Sequence, residues 1–310
     1  MHHPATRWTA AIVCTGLGLS SALGSPRQAP CGQALTRAIP PRAADAIGGR
    51  SFVDQIRGLD DDEREERIRR ELQAGNIPDF LRRLVPVHLN SPNSDGRAVD
   101  IVVCAAPDYL AVGSDSDFML VPVRLGTALS MGAHYGLTLP TPRLVDAIYA
   151  QAAVHFTPQP LPASSVMRST DYYWRHNQLI ETQRSMLDVP LGALSAGDKK
   201  DLVITNRLWT HMDRVAIYGW HRAEREPIQP LSTVHGWHYA DYSHGARLIS
   251  TQVFVDGVPR SIFEILQDPR LAWALSDEGV MANVTGLIAM LSARTRSVAA
   301  FSPTLYQRLP

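Results

Sequence analysis

The alternation of apolar and polar positions divides the chain into short elements. From Asp60 to Ala74 the run DDDEREERIRRELQA opens on acidic residues, carries Glu and Arg at helical spacing and stops at Gly75-Asn76, which predicts a surface helix with a solvated charged face. Pro78 to Leu84 predicts a short helix ended by Pro86. Val99 to Cys104, Tyr109 to Val112 and Phe118 to Val123 are apolar runs bounded by Pro, Gly and Asp, the pattern of strands. Thr127 to His134 and Thr141 to Ala152 predict two helices, with Thr141 capping the second and Pro142 in its first position. His176 to Leu187 predicts another. Beyond Gly197, Leu202 to Thr205, Val215 to Trp220, Ile228 to Val234 and Tyr239 to Ile249 read as four successive strands, followed by a hairpin at Asp256-Gly257. The expected fold class is α+β: an antiparallel sheet formed largely by the C-terminal third, packed against helices from the N-terminal two thirds. Residues 51–310 form one domain in this reading, and Thr157 to Ala163, with three prolines in seven residues, marks where two lobes would join.

The composition narrows the class. With 310 residues, 45% hydrophobic and 19% charged, the chain is long enough to bury a substantial core, which excludes disorder, collagen and coiled coil. Thirty basic and thirty acidic residues cancel, so no global field favours a polyanion and nucleic acid is not an expected partner. Met1 to Gly24 has Arg7 in a short n-region, an uncharged stretch from Trp8, and the small residues of Ala22-Leu23-Gly24 at its end, the pattern of a secretory signal peptide. A transmembrane anchor needs about 20 apolar residues, and this stretch is shorter and broken by Thr15, Ser20 and Ser21. The expectation is a secreted or periplasmic protein with no transmembrane segment after cleavage and an irregular arm, rich in Pro, Ala and Arg, over residues 25–50. Cleavage leaves Cys31 and Cys104, an even pair for an oxidising compartment, as a candidate intrachain disulfide. The rival role for Cys104, a nucleophile, sits poorly at the end of the apolar run Ile101-Val102-Val103. The loop Gly113 to Asp117 alternates acidic oxygens; it has too few ligands for a calcium loop and reads better as a hydrogen-bonded turn.

The candidate chemistry is concentrated between Lys199 and Arg247. Five of the eleven histidines, His211, His221, His235, His238 and His244, fall within 34 residues, where uniform scatter would place about one. Strands loaded with imidazole and aromatic groups suggest the floor of a cleft, since an ordinary strand face carries Val, Ile and Leu. The period of two puts Tyr242, His244 and Leu248 on one face of the last strand and Asp241, Ser243 and Arg247 on the other. On the earlier strand it groups His221 with Ile217 and Val215, and Tyr218 with Trp220. His244 is the leading acid/base candidate because imidazole titrates near neutrality, with His221 and Asp241 in support and Tyr242, Lys200 or Arg247 to stabilise charge.

Lysine is itself informative here: 28 of the 30 cations are Arg, and the two lysines, Lys199 and Lys200, are adjacent. Arg cannot give up its proton or act as a compact ammonium donor, so one lysine is a candidate oxyanion or carboxylate binder, against the plainer reading of a solvated turn. Trp220, Trp237, Tyr218 and Tyr239 offer flat faces for a sugar ring, or a core. No cofactor is favoured. The metal alternative is zinc held by His235, His238 and His244 or Asp241, although no complete ligand motif appears.

Asp201-Leu202-Val203-Ile204 followed by Val215-Ala216-Ile217-Tyr218 resembles the strand pair of the NlpC/P60 cell-wall peptidases, in which a Gly-Asp-Leu-Val strand precedes a His-Val-Gly-Ile-Tyr strand. The helix Thr127 to His134, leading into Leu137-Thr138-Leu139-Pro140, is similar to the segment after that family's nucleophile. The resemblance covers about a third of the chain and implies a papain-like fold. Gly126-Thr127 and Asp213-Arg214 stand where the family has its Cys and His, so thiol chemistry is not implied. The expected function is a secreted hydrolase acting on a cell-envelope or extracellular polymer, such as a cell-wall fragment, through a His-centred site. The alternatives are a zinc hydrolase or polysaccharide lyase using the same His/Tyr/Arg cluster, and a non-catalytic glycan-binding or scaffold domain.

Overall fold

A computed structural model describes Cys31 and residues 39–92, 96–187 and 189–300. The signal-peptide reading of residues 1–24, and the arm as far as residue 38 apart from Cys31, lie outside these. The rest of the arm runs without regular structure to Gly48, with Ile39 buried in the core and Arg42 bonded to Asn76 (Nε to Oδ1, 2.9 Å).

The fold is α+β, with eight helices among the described residues. Two lie at the start, α1 (Gly49–Ile56) and α2 (Asp61–Gln73). The acidic start of α2 also caps the helix, a role the sequence reading did not assign. Asp60 Oδ1 accepts from the backbone N–H of Asp62 and Glu63 while the Glu63 carboxylate returns to the Asp60 N–H, a capping box. The helix is less solvated than its charge implies, because Arg64, Ile68 and Leu72, spaced four apart, form a buried stripe and Arg64 lies over the Tyr173 ring at 4.9 Å.

The larger sheet contains β1 (Val85–Pro92), β2 (Ala98–Ala105), β12 (Ile249–Val255) and β13 (Val258–Ser261) in that order, all antiparallel, with the two-residue strand β5 (Leu137–Thr138) paired to the start of β12. This corrects the expected placement of the sheet: two of its long strands come from the N-terminal third. Pro86, expected to end a helix, lies in β1, and an edge strand tolerates a residue without an N–H. The preceding segment forms a single 3₁₀ turn at Asp79–Arg82. A hairpin of β3 (Ala111–Ser114) and β4 (Asp117–Leu120) follows. Its turn carboxylates are engaged: Asp115 Oδ1 accepts from Phe80 N–H at 3.1 Å and Asp117 Oδ1 from Arg50 N–H at 2.9 Å.

Next come α3 (Leu125–Tyr135) and α4 (Pro142–Gln151), the latter capped by Thr141, whose Oγ1 accepts from Leu144 N–H at 3.3 Å. The strand β6 (Val154–His155) pairs in parallel with β7 (Ser195–Ala196), and α5 (Thr170–Met186) lies between them in sequence. The proline-rich segment is tied to its surroundings. Thr157 exchanges two hydrogen bonds with the Gln183 amide, and Leu161 two with the Tyr242 hydroxyl.

The second sheet, ordered β10-β9-β8-β11, holds the candidate site: β8 (Lys200–Leu202), β9 (Ile217–His221), β10 (Pro227–Ser232) and β11 (His244–Gly245). α4 packs on β9. β11 runs parallel to β8, another departure from an all-antiparallel arrangement. The residues beyond the Asp256-Gly257 hairpin, to which the sequence reading assigned no element, add α6 (Ile262–Gln267), α7 (Ala272–Leu275) and α8 (Val284–Ala300). One continuous apolar core runs from Cys31 and Phe52 through both sheets to Leu287 and Leu291. Cys31 and Cys104 lie at disulfide distance, with Cα atoms 5.4 Å apart. Among the described residues no helix is long and apolar enough to cross a membrane.

Candidate functional site

The parallel pairing of β11 with β8 sets Cα of His244 opposite Lys200 and Gly245 opposite Asp201. Side chains of adjacent residues leave a strand on opposite sides, so His244 and Lys200 share one face and Asp201 projects from the other. Gly245 has to be small: an added Cβ would lie 2.5 Å from the Tyr109 ring, which crosses the strand there and donates its hydroxyl to Asp201 Oδ2 at 2.9 Å.

On the Lys200 face, His244 is fully buried and neither of its ring nitrogens has a hydrogen-bond partner within the protein. Burial lowers its pKa to about 4 against the opposing pull of Asp241, and the Lys200 ammonium acts in the same direction as burial. The imidazole is therefore neutral at neutral pH. Asp241 is anchored by three donors: Tyr239 OH reaches Oδ2 at 2.9 Å, and the Ser243 N–H and hydroxyl reach Oδ1 at 2.8 and 2.6 Å. Burial raises its pKa, but the His244 charge, both Ser243 bonds and Lys200 outweigh burial and hold the carboxyl at about 2. The Tyr239 ring stacks flat on His235, centroids 4.0 Å apart, and its edge approaches His244 at 5.6 Å. Arg168 lies over Tyr239 at 5.5 Å. Tyr239 and His235 are both half-buried, so the stacked pair forms the outer part of the cluster over His244.

The expected strand from Tyr239 is thus a correction. Residues 239–241 carry no regular structure and lead into a turn at 242–243 held by the Asp241 carboxylate on the Ser243 N–H, because a short carboxylate competes with the sheet for backbone donors. The predicted sorting of Asp241 and His244 onto opposite faces fails for that reason.

His221 ends β9 in a different set of contacts. Its Nε2 lies 2.8 Å from Asp146 Oδ1, the Tyr218 hydroxyl donates to the same oxygen at 2.8 Å, and the imidazole stacks on Tyr149 at 4.7 Å. Strict alternation would place Tyr218 and His221 on opposite faces. Gly219 and Trp220 between them both have left-handed backbone, with φ of 103° and 58°, and this pair resets the alternation. Trp220 consequently stands beside Lys200, its ring centroid 5.3 Å from Nζ, and beside His176 and Tyr242, instead of sharing a face with Tyr218. A tryptophan held at positive φ costs roughly 1–3 kcal/mol, strain of the kind that collects at functional sites.

Behind these strands a small cavity is lined by residues that include Tyr109, Lys199, Asp201, Trp220, His221 and Arg247. Asp201 Oδ1 and Trp220 Nε1 are buried without a hydrogen-bond partner, although Arg247 Nε lies 3.9 Å from Asp201 Oδ1. Burial raises the Asp201 pKa to about 6 although Arg247 and the Tyr109 bond oppose it. Lys199 is almost wholly buried, not on a solvated turn. It donates to Tyr242 O at 2.7 Å and lies 3.2 Å from His176 Nδ1, and burial lowers its pKa despite the attraction of Asp198. Asp198 is equally buried and neither of its oxygens has a protein partner.

Several expected participants are committed elsewhere. Arg247 donates to Ala106 O and Ser195 O, at 2.8 Å each, and lies over the Tyr109 ring at 4.4 Å, an interior brace and not a free charge. The Tyr242 hydroxyl is bonded to Leu161 on both sides, and Trp237 is buried. Of the four expected aromatic platforms, Tyr218 and Tyr239 remain half-buried. For the zinc alternative, His235 and His244 have ring centroids 6.3 Å apart, whereas His238 faces Arg124 (Nδ1 to Nη1, 3.5 Å). Among the described residues no group of three or more His, Cys, Asp or Glu side chains is arranged to hold a metal ion.

Two partners escaped the sequence reading. Asp146 is the one carboxylate of α4, flanked by Val145 and Ile148, a setting that signals a buried partner. His176 lies on the stripe of Tyr173 and Ile180, the inward face of α5. Comparisons with protein-family models, with curated proteins and with solved structures find no match to this chain.

Proposed function

We propose that the protein is an exported hydrolase acting on a cell-envelope or extracellular polymer, with His244 as its acid/base group. The observation that carries this reading is a neutral, fully buried imidazole with two unpartnered nitrogens between an ionised Asp241 and the Lys200 strand. Buried polar atoms are seldom left unpaired, and those that are mark places where another molecule completes the bonding. In this reading His244 takes a proton from a water molecule and the resulting hydroxide adds to the electrophilic carbon of the scissile bond. The Lys200 ammonium stabilises the oxygen that gains charge, Asp241 stabilises the imidazolium, and His244 then returns the proton to the leaving group. Substrate reaches it when the Tyr239–His235 stack swings aside. Export is supported by the Cys31–Cys104 pair, since such bonds persist in oxidising compartments, and by the N-terminal residue pattern.

The cover over His244 favours one competing reading, a glycan-binding module without turnover. The test is incubation of the mature protein with purified cell-wall sacculi and a panel of polysaccharides, followed by assay of released amino groups and reducing ends. Release from at least one substrate is expected; binding to a glycan with no release from any of them selects the module and overturns the hydrolase.

A further inference from the structure

The outward stripe of α5 carries Trp174, Gln178, Glu181 and Ser185 at intervals of four, three and four residues, so all four fall on one side of the helix. They form one wall of an open trough of about 410 Å³; Arg50 and the turn residues Asp115 and Asp117 form the other. This volume lies within the range of small-molecule sites. The walls are fixed in advance, because Asp115 and Asp117 each hold a backbone N–H and the Arg50 guanidinium lies 5.7 Å from the Trp174 ring centroid. On the far side of Asp115 a second trough, of about 600 Å³, continues the surface with an apolar lining that includes Phe80, Pro190 and Leu191. His176, on the opposite face of α5, touches Lys199, so the helix separates these troughs from the interior of the second sheet.

We propose that the paired troughs bind a neutral oligosaccharide, with a sugar ring against Trp174 and the following rings running past Asp115 toward Leu191. A sugar presents hydrogen-bonding hydroxyls at its rim and C–H groups on its faces, which matches a polar trough holding an indole continued by an apolar one. The charge of the first trough selects within the glycans. Arg50 stands against Asp115 and Asp117, with Glu181 paired to Arg184, and the remaining acidic excess repels uronate or phosphate polymers. A cationic peptide is disfavoured in turn, because Glu181 is already engaged by Arg184 at 3.2 Å and both turn carboxylates hold backbone donors. The proposal deepens the polymer reading by naming a sugar chain, and it concerns a surface distinct from the His244 cluster.

The experiment is calorimetric titration of the mature protein with cello-, chito-, xylo- and malto-hexaose, and with a hexalysine peptide. At least one hexasaccharide should bind, and Trp174→Ala should weaken that binding at least tenfold, about 1.4 kcal/mol, with an unchanged far-ultraviolet circular dichroism spectrum and a cooperative urea transition. Trp273→Ala, which removes an exposed indole on α7 away from both troughs, should leave it unchanged. Failure of all four sugars to bind, binding indifferent to Trp174→Ala, or hexalysine binding that Trp174→Ala abolishes would each overturn the proposal. None of these outcomes alters polymer cleavage dependent on His244, so the two readings fail separately.

Discussion

His221 Nε2 and Asp146 Oδ1 lie 2.8 Å apart although 75 residues separate them, and the Tyr218 hydroxyl shares the same oxygen. The relationship joins α4 to β9 and depends on the left-handed pair Gly219-Trp220, which turns Tyr218 and His221 to the same side. Removing the shared acceptor strands both partners. Asp146→Ala should destabilise by about 1–3 kcal/mol and Tyr218→Phe by about 1 kcal/mol, read by urea denaturation. Because both changes break the same bond, the double variant should cost less than the sum by at least about 0.5 kcal/mol. Strict additivity would contradict the shared bond.

Gly245 and Gly236 form a controlled comparison. A Cβ on Gly245 meets the Tyr109 ring, whereas one on Gly236 meets nothing within 4 Å. Gly245→Ala should lower stability by more than about 2 kcal/mol by displacing the ring that holds Asp201, and Gly236→Ala should change it by less than about 0.5 kcal/mol. Equal effects in thermal unfolding would mean that Tyr109 does not cross β11 closely.

Asp198 should make stability depend on pH in a defined direction. Burial, with the repulsion of Asp108, raises its carboxyl from 3.8 to about 7, against the attraction of Arg247, Arg184 and Lys199. The folded state thus holds a proton that the unfolded chain releases between pH 4 and 7, and the stability this proton carries is lost as pH rises through 7. Asp198→Asn keeps the neutral form at every pH. It should match the wild type near pH 4 and exceed it above pH 7 by on the order of 1–3 kcal/mol in urea denaturation midpoints, the usual cost of an unpaired buried polar group. A gain that is larger at pH 4 than at pH 8 would refute the assignment.

Local signals were the most legible part of the sequence. The helix opening at Asp60, the Thr141–Pro142 helix start and the Asp256-Gly257 hairpin each depend on a few neighbouring residues, and each is present. The site was legible as a concentration of histidines but not as an arrangement. Residues 239–243 alternate as a strand would, but the Asp241 carboxylate on the Ser243 N–H, with the Asp241 carbonyl on the His244 N–H, turns them away from the sheet. The positive φ of Trp220 gives no local signal, since a bulky residue rarely adopts it; tertiary packing around Lys200, His176 and Tyr242 holds it there. Arg247 looked available because it lies beside the histidine segment, yet its partners Ala106 and Ser195 are 141 and 52 residues away. Pairings over such separations leave no periodicity to read.

The most direct test of the account is the kcat/KM of His244→Gln on whichever polymer the mature wild-type protein cleaves, measured beside its near-ultraviolet circular dichroism. Glutamine keeps a polar side chain in the buried position without a titrating nitrogen, so it separates packing from proton transfer. The account predicts a fall of at least about 100-fold in a variant that remains folded. Turnover within about twofold of the wild type, in a folded variant, would remove His244 from the reaction and with it the proposed site.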